Sequence, residues 1–304
     1  MKILITGGAG FIGSHLVEKL SKGNEVVVFD NFSEGREEFI KGFKCKIIKG
    51  DILDRKAIGD AMKGVDECYH LAADYRVKES YDIPVKNFET DCAGSVNVLE
   101  ACRKNNVKNF VFTSSCVVYG IADMPTPETA PIRPISNYAA AKAASENYIM
   151  SYSHLYGIKG TILRYANIIG QRSTHGICYD FYNKLKKNPK ELDILGDGNQ
   201  KKSYLHVKDT VDASIFAKEH TKGGWDVFNV GSEEQISVKD IAGQITGFMG
   251  LKDVHYRFTG GEKGWPGDVP RMLLSIDKMK KLGWKPRYNI REAIADTLKY
   301  LKEN

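Results

Sequence analysis

The chain has 304 residues, 42% of them hydrophobic and 27% charged, with a formal net charge of +6. That describes a soluble globular protein with a sizeable core, in one large domain or two closely joined ones. Its basic residues are scattered, with only short clusters such as KLKK at 184–187. This argues for a solvated surface and against a nucleic-acid face, while a mildly positive protein favours a phosphate-bearing ligand.

No run approaches 18 apolar residues, so no membrane partner is expected. The opening MKILITGGAG has its apolar run broken by glycines, unlike a secretory leader. Cys45, Cys68, Cys92, Cys102, Cys116 and Cys178 form no CxxC pair, which fits buried reduced thiols in a cytoplasmic protein.

In chain order, β-branched runs at 2–6, 25–30, 45–50, 67–72, 109–114 and 160–165 predict strands. Helical patterns lie near 11–22, 54–63, 84–105 and 136–156. Short buried strands alternating with helices predict an α/β fold, a Rossmann-type doubly wound parallel sheet with right-handed connections, over residues 1–165. Beyond 166 the pattern loosens. GDGNQ (196–200) and GGEKGWPGD (260–268) read as loops. Helices are expected near 177–188, 207–218, 237–247, 275–282 and 290–302. Residues 166–304 therefore read as a smaller α+β substrate domain, with some segments returning to the sheet edge. There is no internal repeat.

GGAGFIGSH (7–15) follows the first strand and opens the first helix. Gly8, Gly10 and Gly13 satisfy GxGxxG; Gly7, Gly10 and Gly13 satisfy GxxGxxG. Glycines there permit a tight turn and close approach to a pyrophosphate, and the helix N-terminus with Phe11 and Ile12 favours the anion. Asp30 ends the second strand, 20 residues after Gly10. A carboxylate there accepts ribose hydroxyls and repels a 2′-phosphate, so NAD is expected over NADP, with Asn31 beside it. Asp51, with Ile52, either contacts the adenine edge or caps the helix starting near Asp54.

The fifth strand ends in FTSSCVVYG (112–120) and delivers Ser114 and Ser115 to the carboxyl edge of the sheet. In NYAAAK (137–142), Tyr138 and Lys142 stand four residues apart on one helix face. A nearby ammonium and a cationic nicotinamide both favour the phenolate. Lowering a tyrosine pKa by about 3 units takes about 4 kcal/mol of differential stabilisation. Ser115, Tyr138 and Lys142 are therefore the candidate catalytic set: Tyr138 takes a hydroxyl proton, Ser115 hydrogen-bonds the same oxygen, and Lys142 also holds the nicotinamide ribose. A tyrosine that merely packs is the alternative reading.

The glycine cradle, Asp30, HLAA (70–73, with Leu71, Ala72 and Ala73 at the cofactor), TSSCVVYG and NYAAAK resemble the extended short-chain dehydrogenase/reductase family. RYANIIGQR (164–172), GDGNQKKSYLHVKD (196–209) and GWPGDVP (264–270) look like its NAD-dependent epimerase/dehydratase branch, in particular the UDP-glucose 4-epimerases. The resemblance covers nearly the whole chain. It implies that Asn167 and the loop from 192 to 204, including Lys202 and Tyr204, contact a nucleotide sugar, most simply a UDP-hexose. It also implies a homodimer built on the helices near 84–105 and 136–156.

Members that eliminate water carry an Asp–Glu pair after the catalytic hydroxyl residue; here Cys116 and Val117 stand there, which disfavours dehydration. The Glu usual in decarboxylating members is missing too. Cys116 lies one residue earlier than the cysteine of 3,5-epimerising members, and a small buried residue is its simpler reading. His175 and His206 lack metal-ligand spacing, and no metal is expected. What remains is inversion at C4 through a transient 4-ketone. The alternatives are another oxidoreductase or dehydratase of the family, or a non-catalytic NAD-sensing scaffold.

Three departures stand out. Lys202 and Trp265 occupy positions where the family's arginines clamp the diphosphate. Lysine holds phosphate only as a point charge; Trp265 either stacks on a base or packs. The family's Asn ahead of its Gly-Thr pair is absent, and Thr90, Asp91 and Ser95 stand in that region. Met272 falls where the family borders the sugar's C2 substituent. A flexible methionine there predicts activity on UDP-glucose and UDP-galactose with some on the N-acetyl pair, unless Met272 is simply core.

Overall fold

The computed structural model describes residues 1–304. In chain order the first elements are β1 (Lys2–Thr6), α1 (Phe11–Leu20), β2 (Glu25–Asp30), β3 (Cys45–Lys49), α2 (Arg55–Ala61), β4 (Glu67–His70), α3 (Pro84–Phe88), α4 (Gly94–Lys104), β5 (Asn109–Ser115), α5 (Asn137–Tyr156) and β6 (Lys159–Tyr165). The chain continues with β7 (Asn167–Ile169), α6 (Ile177–Lys187), β8 (Glu191–Ile194), β9 (Lys201–Lys202), β10 (Tyr204–His206), α7 (Val207–His220) and β11 (Trp225–Val230). It ends with β12 (Ile236–Ser237), α8 (Val238–Phe248), β13 (His255–Phe258), β14 (Arg271–Met272), α9 (Asp277–Leu282) and α10 (Ile290–Glu303).

Two compact units result. The first comprises Met1–Gly120, Pro131–Tyr165 and Val211–Phe228; the second comprises Ile121–Ala130, Ala166–Thr210 and Asn229–Asn304.

The first unit is a Rossmann-type sheet of seven strands in the order β11-β6-β5-β4-β1-β2-β3. All pairings from β6 to β3 are parallel. The inner strands are apolar without alternation because helices cover both faces. Phe110 and Phe112 are fully buried, each worth roughly 1.5–3 kcal/mol of transfer free energy. The order reverses between β1 and β4, and ligands of such sheets bind beyond the strand ends at that point.

Three differences from the expected elements have local causes. The fourth strand stops at His70: the Ala72 N–H turns to the Thr6 hydroxyl (3.3 Å) instead of continuing the ladder. The expected helix over 84–105 is interrupted by a π turn at Glu89–Ala93, between α3 and α4. Its last turn abuts Ile52, whose Cδ1 would lie 2.5 Å from a Cβ at Gly94. Finally, β11, which no sequence pattern marked, forms the sheet edge beside β6.

Other helix ends follow familiar chemistry. Asp54 caps α2 by accepting from the Lys56 and Ala57 amides, each at 3.0 Å. Ser136 caps α5, and Gly157 ends it in the left-handed region at φ +68°. In the second unit, α6, α8 and α10 pack Phe181, Leu185, Ile241, Ile245, Ile294 and Leu298 into one core. Short ladders accompany it: β7 with β10, β8 with β13, and β9 between β12 and β14.

Candidate active site

Beyond β1 the backbone folds tightly on itself. Gly7 has φ +67°, and a Cβ there would lie 2.7 Å from the Ala72 nitrogen. A Cβ on Gly13 would lie 2.1 Å from the Gly7 oxygen, so no side chain fits. Gly10 differs: its Cβ would meet one protein atom, the Gly7 oxygen at 3.3 Å. The protein itself thus demands little of Gly10, and the bare backbone there leaves room for a close-lying ligand. Gly10 starts α1, which has no side-chain cap and no acid in its first turn. Such an end favours phosphate. Phe11 and Ile12 form its first residues.

Asp30 is 7% exposed. One carboxylate oxygen accepts from the Ala9 amide at 2.9 Å and the other from the Phe32 amide at 2.9 Å. Burial pushes its pKa up and these two bonds pull it back. The carboxylate therefore binds the cradle to the end of β2 while keeping further lone pairs. Beside it, the Asn31 amide donates to Asp51 at 2.9 Å, and Asp51 also accepts from the Leu53 amide at 2.9 Å. The cap reading of Asp51 is corrected, since Asp54 caps α2; Asp51 instead shapes the turn holding buried Ile52. Leu71, Ala72 and Ala73 leave β4 half-buried, anchored through Thr6.

At the end of β5 the two serines divide. Ser114 is buried and donates to Glu146, whose two oxygens also accept paired hydrogen bonds from the Arg164 guanidinium. Ser115 is half-buried, accepts from the Val117 amide at 3.4 Å, and lies close enough to Tyr138 to favour its phenolate. Tyr138 and Lys142 share one face of α5. The Lys142 ammonium lies 5.6 Å from the centroid of the Tyr138 ring and 4.9 Å from that of Phe112, and donates to the Thr113 carbonyl at 3.0 Å.

The expected activation depends on the cationic cofactor as well as on Lys142, and the protein's own surroundings act the other way. Burial, first, pushes the Tyr138 pKa up; Asp91, Cys116 and Asp74 push the same way, against the Ser115 hydroxyl. Burial also pushes Lys142 down, against the pull of Asp91 and Glu146. In the protein alone, burial and the neighbouring Asp91, Cys116 and Asp74 favour the protonated phenol. Below Lys142 runs a buried chain: Thr6 with His70 Nδ1 (2.6 Å), His70 Nε2 with Ser95 (2.9 Å), and Ser95 donating to the Asp91 carbonyl (2.6 Å).

The second unit holds the residues that the sequence reading assigned to substrate. Asn167 donates to the Ser203 carbonyl at 3.1 Å. The Lys202 ammonium pairs with Asp268 at 2.6 Å. Tyr204 is buried in the apolar core of this unit. Met272 is 7% exposed, in register with Lys202 in the β14–β9 pair. Trp265 is half-buried, and its carbonyl accepts from the Asp268 amide. His206 bonds Asp296 at 2.9 Å and stacks on Tyr288 at 4.0 Å, a structural role.

A family model, the NAD dependent epimerase/dehydratase family, matches residues 3–231. The chain belongs to this family. NAD is its cofactor, and the cradle from Gly7 to Gly13 with Asp30 fits that group. Among its relatives, a putative UDP-glucose 4-epimerase of Methanocaldococcus jannaschii is 36% identical over 312 residues, spanning 99% of both chains. A crystal structure of a UDP-galactose 4-epimerase has TM-score 0.91 and 41% identity, covering 100% of this chain and 99% of that one. A dTDP-glucose 4,6-dehydratase of Streptomyces venezuelae, solved with NAD bound, has TM-score 0.93 and 27% identity, covering 100% and 98%. No helix of this epimerase/dehydratase-family chain is long and apolar enough to cross a membrane.

Sequence reading missed what supports the set: Asp91, Asp74, the Thr6–His70–Ser95 chain and the Glu146–Arg164 pair. Asp91 and Ser95 carried a signal only as residues standing, with Thr90, in the region where the family's Asn is absent.

Proposed function

We propose that the chain interconverts nucleotide sugars differing at C4, with UDP-glucose and UDP-galactose the principal pair. The observation that carries this reading is the joining of Ser115, Tyr138 and Lys142 at the end of β5, with Cys116 and Val117, not acids, following the serine. Elimination of water needs an acid and a base at those positions, and buried Cys116 supplies neither.

C4 bears no acidic proton, so simple deprotonation cannot invert it. Bound NAD would supply a hydride acceptor, a donor for the return, and a positive charge additional to that of Lys142. Tyr138 removes the C4 hydroxyl proton and returns it after the 4-ketone has turned over. Ser115 hydrogen-bonds that oxygen, and Lys142 offsets the negative charge of the phenolate. Asn167, Lys202 and Met272 of the second unit are assigned to the nucleotide sugar by resemblance to the family alone. The test is incubation with UDP-glucose, UDP-galactose and their N-acetyl forms, followed by chromatography. Interconversion supports the reading; a released keto sugar sinks it.

We also propose a homodimer. Tyr81, Val85 and Phe88 at α3 and Tyr148, Leu155 and Tyr156 on α5 are exposed apolar side chains of the first unit, and these two helices pack together. Gel filtration of Phe88→Glu should give a monomer if this face is the interface. The six unpaired thiols fit a cytoplasmic location.

A further inference from the structure

Asp91 sits in the π turn between α3 and α4 and is 0% exposed. Its carboxylate accepts from the Asp74 amide at 2.6 Å and the Asn87 side-chain amide at 2.7 Å. Its backbone carbonyl accepts from Ser95 at 2.6 Å and Ser145 at 2.9 Å. Ser145 lies three residues beyond Lys142, on the face of α5 that carries Tyr138. The π turn is thus docked against the reactive face, and such turns gather at functional sites. An amide could accept the same Asp74 hydrogen bond. A carboxylate buried this deeply adds a desolvation penalty of several kcal/mol unless another charge answers it.

We propose that Asp91 is a positioning residue for the transfer: its carboxylate is the counter-charge that keeps buried Lys142 an ammonium. The role rests on the epimerase reading only for what the ammonium then does. From α5, Lys142, Tyr138 and Glu146 face this region; from the loop after β4, Asp74, which is paired with Arg76 at 2.6 Å. Lys86 on α3 acts on Asp74, and His70 on β4 feels Lys142. Glu146 also favours the Lys142 ammonium but is itself paired with Arg164 at 2.6 Å, and Asp91 is the stronger of the two influences. Burial pushes the Asp91 carboxyl up to about 6, with Lys142 holding it down. Below that pH the counter-charge disappears.

The test is a titration of protein carrying ¹³Cε-lysine, with the Lys142 signal assigned by its loss in Lys142→Met. In Asp91→Asn the midpoint of Lys142 deprotonation should fall by about one pH unit or more, a tenfold loss of proton affinity. Asn87 Oδ1 is buried without a partner and can accept from the new amide after a flip. An unchanged midpoint overturns the proposal. Should Asp91→Asn not fold, the wild-type Lys142 signal is decisive: it should inflect near the Asp91 titration, and a flat signal there overturns it. The alkaline limb of kcat should move with the midpoint, with KM nearly unchanged. Absence of turnover on every sugar, with the midpoint shift intact, would overturn the epimerase reading and leave this one in place.

Discussion

The Lys142 ammonium lies 5.6 Å from the centroid of the Tyr138 ring. It does not depress the phenol by itself, because burial acts first and upward on Tyr138. On the proposed function, the phenolate would form with the positive cofactor bound, which would confine the base to the loaded enzyme.

Tyr138→Phe removes the proton acceptor. The expected loss in kcat is at least ~100-fold, the usual scale for a general acid/base. NAD binding and the circular dichroism spectrum should stay as in the wild type. Turnover near the wild-type rate would return Tyr138 to a packing role.

Cofactor choice follows from Asp30. Its carboxylate repels a 2′-phosphate, so NAD should co-purify or suffice in catalytic amounts. Turnover that consumes NADPH stoichiometrically would contradict both the Asp30 argument and the epimerase reading.

The sheet was legible in the sequence because its strands are buried on both faces, so β1, β2 and β5 read as unbroken apolar runs. The glycine cradle was legible for a steric reason: Gly13 admits no side chain. Strands β8 and β13 were not, since they are short and ELDI alternates in burial. The π turn was hidden because a helix pattern does not report one inserted residue. At the site, Ser115, Tyr138 and Lys142 were visible by order and spacing. Their environment was not. The Lys202–Asp268 pair joins residues 66 apart, and the Asp91 contacts depend on tertiary packing.

Met272 is buried beside Lys202 in the β14–β9 register. If it borders the sugar's C2 substituent, Met272→Tyr should lower N-acetyl turnover relative to plain-sugar turnover about tenfold or more, the scale of a filled pocket. Assays on both pairs check this. An unchanged ratio would make Met272 core only.

Acid stability carries the signature of His70. Burial and the Lys142 charge push its pKa down to about 3. The unfolded imidazole titrates near 6.5, so the native state binds fewer protons between those values. The stability it contributes is complete above about pH 6.5 and is lost as pH falls toward 3. Asp91, raised to about 6, works in the opposite sense. Between pH 6.5 and 4.5, wild-type Tm should therefore fall more than that of His70→Gln. Equal slopes in thermal denaturation would show that His70 is not the group responsible.

The central claim is reversible oxidation at C4 with the hydride kept on the enzyme. It is tested most directly by incubating the NAD-loaded protein with UDP-galactose deuterated at C4 and examining the product by mass spectrometry and NMR. The account predicts UDP-glucose that retains its deuterium at C4. Release of a 4-keto sugar, or a product whose C4 deuterium has been lost to solvent, would contradict it.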